Sequence, residues 1–389
     1  MEVTVLGSGS AYPGPLRGAS AVALRLEHGE TWIFDCGEGT QTQLMKSRTK
    51  TGKISKIFVS HLHGDHVYGL PGLLCTLSLN CSSAPGQQGQ CLEIFGPVGL
   101  RLYLRVALRV CSSELMFPFT VHELEPTSDQ SPPAGLPDPD LTACSPPPHP
   151  QERPGRTLRP DPESDLYPLL QDERVSVSAF RLFHRVPSFG FCVQERDRPG
   201  RLRVELLKQL GVKPGPLYGR VKNGLSVRLE DGRVLGAGEG VEPGVRGRRV
   251  CVLGDCSGLV GEGGRRACQG ADLLVHEATL EDGLREQAEE RGHSTPSGAA
   301  ALARDCAVHT LLLTHFSQRY KPAGGPGGAG SQGAASHGEG GDDVLELKRQ
   351  AELVLQGTDT RVVLAEDFLA LPVPLPKPPQ PRPDPPTPS

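Results

Sequence analysis

Aromatic side chains are scarce in this chain of 389 residues, where one Trp, six Tyr and eleven Phe make up 5% of the sequence. Against 48 Gly and 37 Pro, that scarcity predicts that part of the length is loop or tail and that the folded portion is shorter than the whole. No apolar stretch approaches the roughly 18 residues of a membrane-spanning helix, so no membrane partner is expected. Neither sign of charge dominates: 41 Lys and Arg face 45 Asp and Glu, a formal net charge of −4. This excludes a uniformly basic coat for nucleic acid and leaves room for a local basic patch. The eleven cysteines are scattered singly with no C-x-x-C pair, which supports neither a disulfide framework nor a zinc-finger spacing and fits a reducing compartment. The opening M-E-V-T-V-L-G-S-G-S reads as a strand entering a Gly turn, not as a targeting peptide. The expected residence is cytoplasmic (cytosol), or nuclear.

What is present is a rhythm of short apolar runs, each ending in a turn or polar cluster: Val3–Leu6, Thr31–Phe34, Lys56–Ser60, Leu92–Phe95, Val175–Phe183, Arg249–Leu253, Ala271–Val275, Thr310–Thr314 and Arg361–Leu364. They read as buried strands. Helical segments are expected over Thr40–Lys50, Leu70–Leu79, Leu280–Arg291 and Thr295–Asp305, the last opening on a Thr cap followed by Pro. Together they predict an α/β sandwich of sheets and covering helices. Three stretches break the rhythm: the Pro/Asp/Ser-rich 126–172, the Gly-rich 323–343 and the Pro-rich 371–389. These are expected to be mobile.

The run Lys56–Ser60 leads directly into His61, Leu62, His63, Gly64, Asp65 and His66, four potential ligands within six residues. Imidazole nitrogen with carboxylate oxygen suits Zn²⁺, with Mn²⁺ or Fe²⁺ as alternatives. His184, Asp255, His276, Glu277 and His315 each follow an apolar run. In layered α/β folds the carboxyl ends of strands gather on one rim, where residues distant in sequence meet. A natural division gives one ion His61, His63 and His184 and the other Asp65, His66 and His315, with Asp255 bridging. A pair of ions ~3.5 to 4 Å apart would polarise a phosphodiester and supply hydroxide near neutral pH. Glu277 and the His293 of G-H-S-T form either a proton-transfer pair for the leaving oxygen or a turn stabiliser and a helix cap. The D-C-G-E-G-T turn at Asp35 could support the metal loop and is not counted as a ligand.

H-L-H-G-D-H resembles the metallo-β-lactamase superfamily as a whole, which names a fold and a metal site but no substrate. W-I-F-D-C-G-E-G-T-Q-T-Q-L, F-V-S-H-L-H-G-D-H-V-Y-G-L-P-G-L-L, F-R-L-F-H-R-V-P-S-F-G-F, L-G-D-C-S-G, V-H-E-A-T, G-H-S-T-P and T-H-F-S-Q-R-Y look like the short form of tRNase Z, over residues 3 to about 370. The resemblance implies an αββα sandwich over residues 1–370 with a protruding arm, and two Zn²⁺. It further implies cleavage of the 3′ trailer from precursor tRNA, leaving a 3′-hydroxyl on the tRNA and a 5′-phosphate on the trailer. Asp65 would then double as ligand and base, and the enzyme would work as a homodimer. The arm corresponds to residues 195–224. There Arg196, Arg198, Arg201, Arg203, Lys208, Lys213, Arg220 and Lys222 outnumber Asp197 and Glu205, a phosphate-binding patch on an acidic chain. G-V-K-P-G-P-L-Y-G, around Tyr218, reads as a stiff turn. One departure is local: where the family loop that senses the tRNA 3′ end often reads P-x-K-x-R-N, this chain has Pro13, Gly14, Pro15, Leu16, Arg17 and Gly18, without the Lys and the Asn.

Two other readings compete. A small-molecule ester or thioester hydrolase of the same superfamily would leave the basic arm without a task. A catalytically silent RNA-binding homologue should have lost ligands, whereas all seven ligand positions carry a metal-competent side chain.

Overall fold

The computed structural model describes residues 1–80, 91–130, 146–229, 231–236, 238–322 and 343–376. The chain divides into two compact units, one of residues 1–172, 176–193 and 249–373, the other of 173–175, 194–248 and the residues from Pro374 onward.

In chain order the strands are β1 (Glu2–Gly7), β2 (Ala21–Arg25), β3 (Thr31–Phe34), β4 (Ile54–Phe58), β5 (Leu92–Pro97), β6 (Phe119–Leu124), β7 (Glu152–Arg153), β8 (Thr157–Leu158), β9 (Tyr167–Gln171), β10 (Val175–Phe183), β11 (Ser188–Glu195), β12 (Val227–Arg228), β13 (Val234–Leu235), β14 (Arg249–Leu253), β15 (Gly258–Leu259), β16 (Leu273–Glu277), β17 (Thr310–Thr314), β18 (Arg361–Leu364) and β19 (Ala370–Pro372). One sheet runs β19-β1-β2-β3-β4-β5-β6-β7 with β8 also on β6, and the other runs β15-β10-β11-β14-β16-β17-β18 with β9 on β10.

Alternation along the strands sorts the core into layers. Ile33, Ile57 and Ile94 pack with Leu70, Leu73, Leu74, Leu100 and Leu104 of the helices Leu70–Leu79 and Leu100–Val110. Their neighbours Phe34 and Phe58 point the other way and meet Phe191 of β11 at ring-centroid distances of 5.9 and 5.3 Å. Phe34, Phe58 and Phe191 thus fill space between the sheets. Helices Pro296–Asp305 and Val344–Val354 cover β16, β17 and β18, which gives helix, sheet, sheet, helix.

The expectation of a mobile 126–172 is corrected for its second half. Residues 131–145 lie outside the described residues, but β7 and β8 pair with β6 and β9 pairs with β10. Pro168 sits on β9 at the sheet margin, where no partner needs its missing N–H, and the buried Tyr167 donates its hydroxyl to the Glu125 carbonyl at 2.7 Å. Strand β19 likewise carries order to Pro372, past the expected start of the tail. The Gly-rich stretch 323–342 and the tail 377–389 fall outside the described residues. Among the described residues no helix is long and apolar enough to cross a membrane.

The second unit has its own small core of Leu207, Val212, Val221, Val227, Leu229 and Leu235, built from helices Val204–Gln209 and Pro216–Lys222 and the β12–β13 ribbon. Tyr218, expected in a turn, is helical, because Pro216 at a first helical position starts the helix. Within this unit Arg248 forks onto the Glu195 carboxylate with two contacts of 2.6 Å, both side chains buried.

Candidate metal centre

Strands β14, β16 and β17 are parallel neighbours, so the residues that leave their carboxyl ends share one edge of the sheet. Asp255, Glu277 and His315 arrive there, joined by His184 from the end of β10 and by His61 to His66 from the end of β4. His61 Nε2 lies 3.1 Å from His63 Nδ1, which lies 3.2 Å from His184 Nε2. His66 Nε2 and His315 Nε2 are 3.2 Å apart, and His315 Nε2 is 3.3 Å from Asp65 Oδ2. The Asp255 carboxylate faces both groups. Its Oδ1 stands 3.3 Å from His66 Nε2 and 3.3 Å from His315 Nε2, and its Oδ2 stands 3.7 Å from His61 Nε2. One set of donors is therefore His61, His63, His184 and Asp255, and a second is Asp65, His66 and His315.

Polar partners behind the cluster fix which ring atom points inward. His184 Nδ1 donates to the Gly292 carbonyl at 2.6 Å, which turns its Nε2 toward His63. Gly292 has φ +72°, and a Cβ there would stand 2.6 Å from His184 Nδ1, so the position takes only glycine. His66 Nδ1 rests on Asp35 Oδ2 at 2.7 Å, while Asp35 Oδ1 receives the Ser60 amide at 2.7 Å. Ser60 Oγ contacts both Asp35 Oδ2 and His61 Nδ1, at 2.9 and 3.0 Å. His315 Nδ1 meets Thr279 Oγ1 at 2.9 Å, and that hydroxyl donates to Glu277 Oε2. Glu277 Oε1 receives the Cys256 amide at 2.7 Å and contacts His293 Nδ1 at 3.1 Å. The Ala11 amide donates to Asp65 Oδ2 at 2.7 Å. Asp35, His315 and Ala11, three of the seven non-glycine residues with positive φ among the described residues, hold +58°, +57° and +69°, so part of the chain's backbone strain sits at the site.

Electrostatics follow from this burial. Desolvation, aided by neighbouring imidazoles, holds His61 well below the ordinary range and His63 at about 4, and burial also lowers His184. Burial opposes charge on His66 and His293 as well, but Asp255 with Asp35 outweighs it at His66, and Glu277 outweighs it at His293, raised to about 9. For Asp65 and Asp255 desolvation is overcome by His315 and His66, which hold both carboxyls well below their usual values. Neutral imidazoles with inward lone pairs about 3 Å apart, next to ionised carboxylates, repel one another unless a cation sits among them. The donor set fits a borderline metal ion.

Of the sequence-predicted residues, His61, His63, Asp65, His66, His184, Asp255 and His315 all converge, with Glu277 and His293 beside them. His276 does not. It is buried on the opposite face of β16, its Nδ1 bonded to the Glu277 carbonyl at 2.8 Å. Ser60, Thr279, Gly292 and the Ala11 amide are supports that the sequence reading missed. Ser60 and Thr279 stand within the matched motifs, one residue before His61 and two after Glu277, and that adjacency was the available signal.

The basic residues of 196–222 all belong to the second unit. Seven are exposed and Arg198 is half-buried. Lys208 pairs with Glu205 at 3.0 Å. Arg198, Arg203 and Lys222 line a concavity of about 680 Å³ that also includes Asp197 and Glu242.

A family profile described as Anti-Pycsar protein Apyc1 matches residues 1–85. The chain is 52% identical over 374 residues to the zinc phosphodiesterase ELAC protein 1 of Homo sapiens, covering 96% of this chain and 98% of that one. It is 35% identical over 370 residues to ribonuclease Z of Bacillus licheniformis, covering 95% and 97%. The crystal structure of human tRNase Z, short form, superposes with a TM-score of 0.63 at 41% identity over 96% of this chain and all of that one. Bacillus subtilis YhfI, a metallo-β-lactamase fold protein, superposes with a TM-score of 0.53 at 15% identity over 95% of this chain and 98% of that one, which speaks to the fold alone. With identity sustained end to end across the segments that build this cluster, the chain belongs to the short-form tRNase Z family, within the metallo-β-lactamase fold.

Proposed function

We propose that this protein is a zinc-dependent endoribonuclease that removes the 3′ trailer from precursor tRNA. The observation that carries the reading is the Asp255 carboxylate, one oxygen turned to His66 and His315 and the other to His61, between two donor sets in a family of zinc phosphodiesterases and ribonucleases Z. His61, His63 and His184 would hold one Zn²⁺ and Asp65, His66 and His315 the other, with the Asp255 carboxylate facing both sets. Bound there, the ions would polarise the phosphodiester and lower the pKa of water.

The remaining chemistry belongs to the protein. Asp65, ionised and anchored by the Ala11 amide, orients the attacking water and accepts its proton. As the water oxygen bonds to phosphorus, the bond to the 3′ oxygen of the tRNA breaks. His293, kept protonated by Glu277, gives that oxygen its proton. The products are a tRNA 3′-hydroxyl and a trailer 5′-phosphate. The arm's cations grip the phosphate backbone of the tRNA, a second copy of the chain completes a homodimer, and the enzyme resides in the cytosol or the nucleus.

The test is to incubate metal-loaded protein with a 3′-extended precursor tRNA and map the cut ends beside Asp65→Ala and His63→Ala. Cleavage next to the discriminator base, abolished in both variants, supports the assignment. Turnover of a small thioester without cleavage of the precursor would return the ester-hydrolase reading.

A further inference from the structure

The arm is not the only concentration of positive charge. Lys46, Arg48, Lys50 and Lys53 fall within eight residues, from the end of helix Thr40–Lys46 through the turn before β4. With Arg25 they line a cleft of about 740 Å³ in the first unit, floored by β1, β2, β3 and β19. Its carboxylate is Glu2, which Arg25 engages at 3.0 Å. Among the described residues no carboxylate lies within ion-pairing distance of the other four. Elsewhere on the same unit some exposed cations are neutralised locally, Arg285 by Glu289, Lys348 by Glu352 and Arg349 by Glu346, and others, such as Arg109, Arg291 and Arg361, stand singly rather than in a group. Four unpaired cations around one concavity, on a chain of net charge −4, raise self-repulsion and leave a positive field that a polyanion would relieve.

The cleft has a fixed relation to the metal centre. Thr31 and Lys53 stand at or just before the starts of the parallel strands β3 and β4, whose far ends deliver Asp35 and His61. The five residues of β4, at ~3.3 Å per residue, span about 16 Å, and His61 lies three residues beyond them. Ser47 and Thr49 line the same wall, where the Ser47 hydroxyl donates to the Leu44 carbonyl at 2.9 Å and accepts the Thr49 amide at 3.0 Å, holding the turn that carries the cations.

We propose that this cleft is an RNA-phosphate subsite of the catalytic unit, holding the sugar-phosphate backbone of the substrate about one strand length from the scissile bond. The proposal rests on the reading that the substrate is RNA. It adds a contact surface that the basic arm does not supply.

The test uses the full-length, metal-loaded protein with Lys46, Arg48, Lys50 and Lys53 all changed to Gln. The pair Arg48→Gln/Lys50→Gln covers the case in which the fourfold variant is unstable, and Lys348→Gln/Arg349→Gln controls for net charge. KM and kcat for a 3′-extended precursor tRNA are measured between 50 and 200 mM KCl, with melting temperature and bound metal checked for each protein. The expected result is a KM raised at least tenfold at low salt with kcat little changed. The slope of log KM against log salt should shrink by about 3 for four lost contacts, at about 0.7 each for a single strand, and by half that in the pair. The control should match wild type. A KM and salt slope equal to wild type, a loss confined to kcat, or an equal rise in the control would each overturn the proposal. If wild type itself fails to cleave, the assigned reaction falls. Fluorescence anisotropy of the labelled precursor then reads the cleft directly: weaker binding by the variant supports it and equal binding refutes it.

Discussion

Replacing Glu277 by Gln should move the alkaline limit of the reaction while leaving the cluster assembled. Glu277 contacts His293 Nδ1 at 3.1 Å, and both side chains are nearly buried. Burial alone would push the imidazole down, and the Glu277 charge outweighs it to hold His293 at about 9. The amide is isosteric: its oxygen can keep the Cys256 amide, and its NH₂ can face the Thr279 hydroxyl, which still accepts from His315. Only the charge is removed. His293 should then fall toward its ordinary ~6.5 or lower, a change of about 3 kcal/mol between its two protonation states. A general acid works in its protonated form, so activity is present below its pKa and lost as pH rises through it. At pH 8 the protonated fraction drops from about nine-tenths to about one-thirtieth. The pH profile of kcat/KM for precursor tRNA should show a roughly thirtyfold loss at pH 8, little loss near pH 5.5, and a descending limb shifted about 2.5 units toward acid. A limb that stays near 9, or a loss of equal size at every pH, would refute the assignment of His293 as proton donor.

Three further outcomes follow from particular contacts. Asp35→Asn leaves either the Ser60 amide or His66 Nδ1 facing a donor, so competition with a chromogenic chelator should read a metal affinity about 10- to 100-fold weaker. Gly292→Ala puts a methyl against His184 at a positive φ and should cost about 1–3 kcal/mol, read as a lower melting temperature and loss of bound metal in the same titration. Leu207→Ala hollows the small core of the second unit and should cost about 2–5 kcal/mol there. Hydrogen exchange should quicken across residues 204–235 with β16 and β17 unchanged, and uniform quickening through both units would contradict an independent core.

The sheets that deliver the site were legible because their strands are short, apolar and abruptly ended. Thr31–Phe34, Val175–Phe183, Arg249–Leu253, Thr310–Thr314 and Arg361–Leu364 appear with the bounds that the pattern suggested. Helix Leu100–Val110 is hidden from that pattern because Arg101, Arg105 and Arg109 interrupt its leucines, so that no continuous apolar run marks it although Leu100, Leu104 and Leu108 bury one face. Strands β7, β8 and β9 were hidden for a different reason: each is two to five residues long in Pro-rich sequence, and their strand conformation comes from neighbours already in place, which local composition does not record. The same blindness applied to charge. A basic run stands out in the sequence at the arm, while Lys46, Arg48 and Lys50 fall in a segment expected to be helical, and only the fold brings Lys53, Arg25 and the sheet floor beside them.

The donors were legible, and of their supports only Asp35 was; one strand end shows why. His276 and Glu277 are adjacent titratable residues at the end of β16, equally eligible by sequence. Successive side chains on a strand point to opposite faces, so only one of the two can reach the rim. Glu277 goes inward, to His293 and Thr279. His276 goes outward, into a buried contact with its neighbour's carbonyl. The choice is set by the pairing of β16 with β14 and β17, which places Glu277 opposite Thr314, immediately before His315. A one-residue slip in that pairing would exchange the two and break the chain from Glu277 through Thr279 to His315. Parallel register is therefore part of the active site: it aligns a carboxylate, a hydroxyl and an imidazole from two strands, a relation that no single motif in the sequence contains.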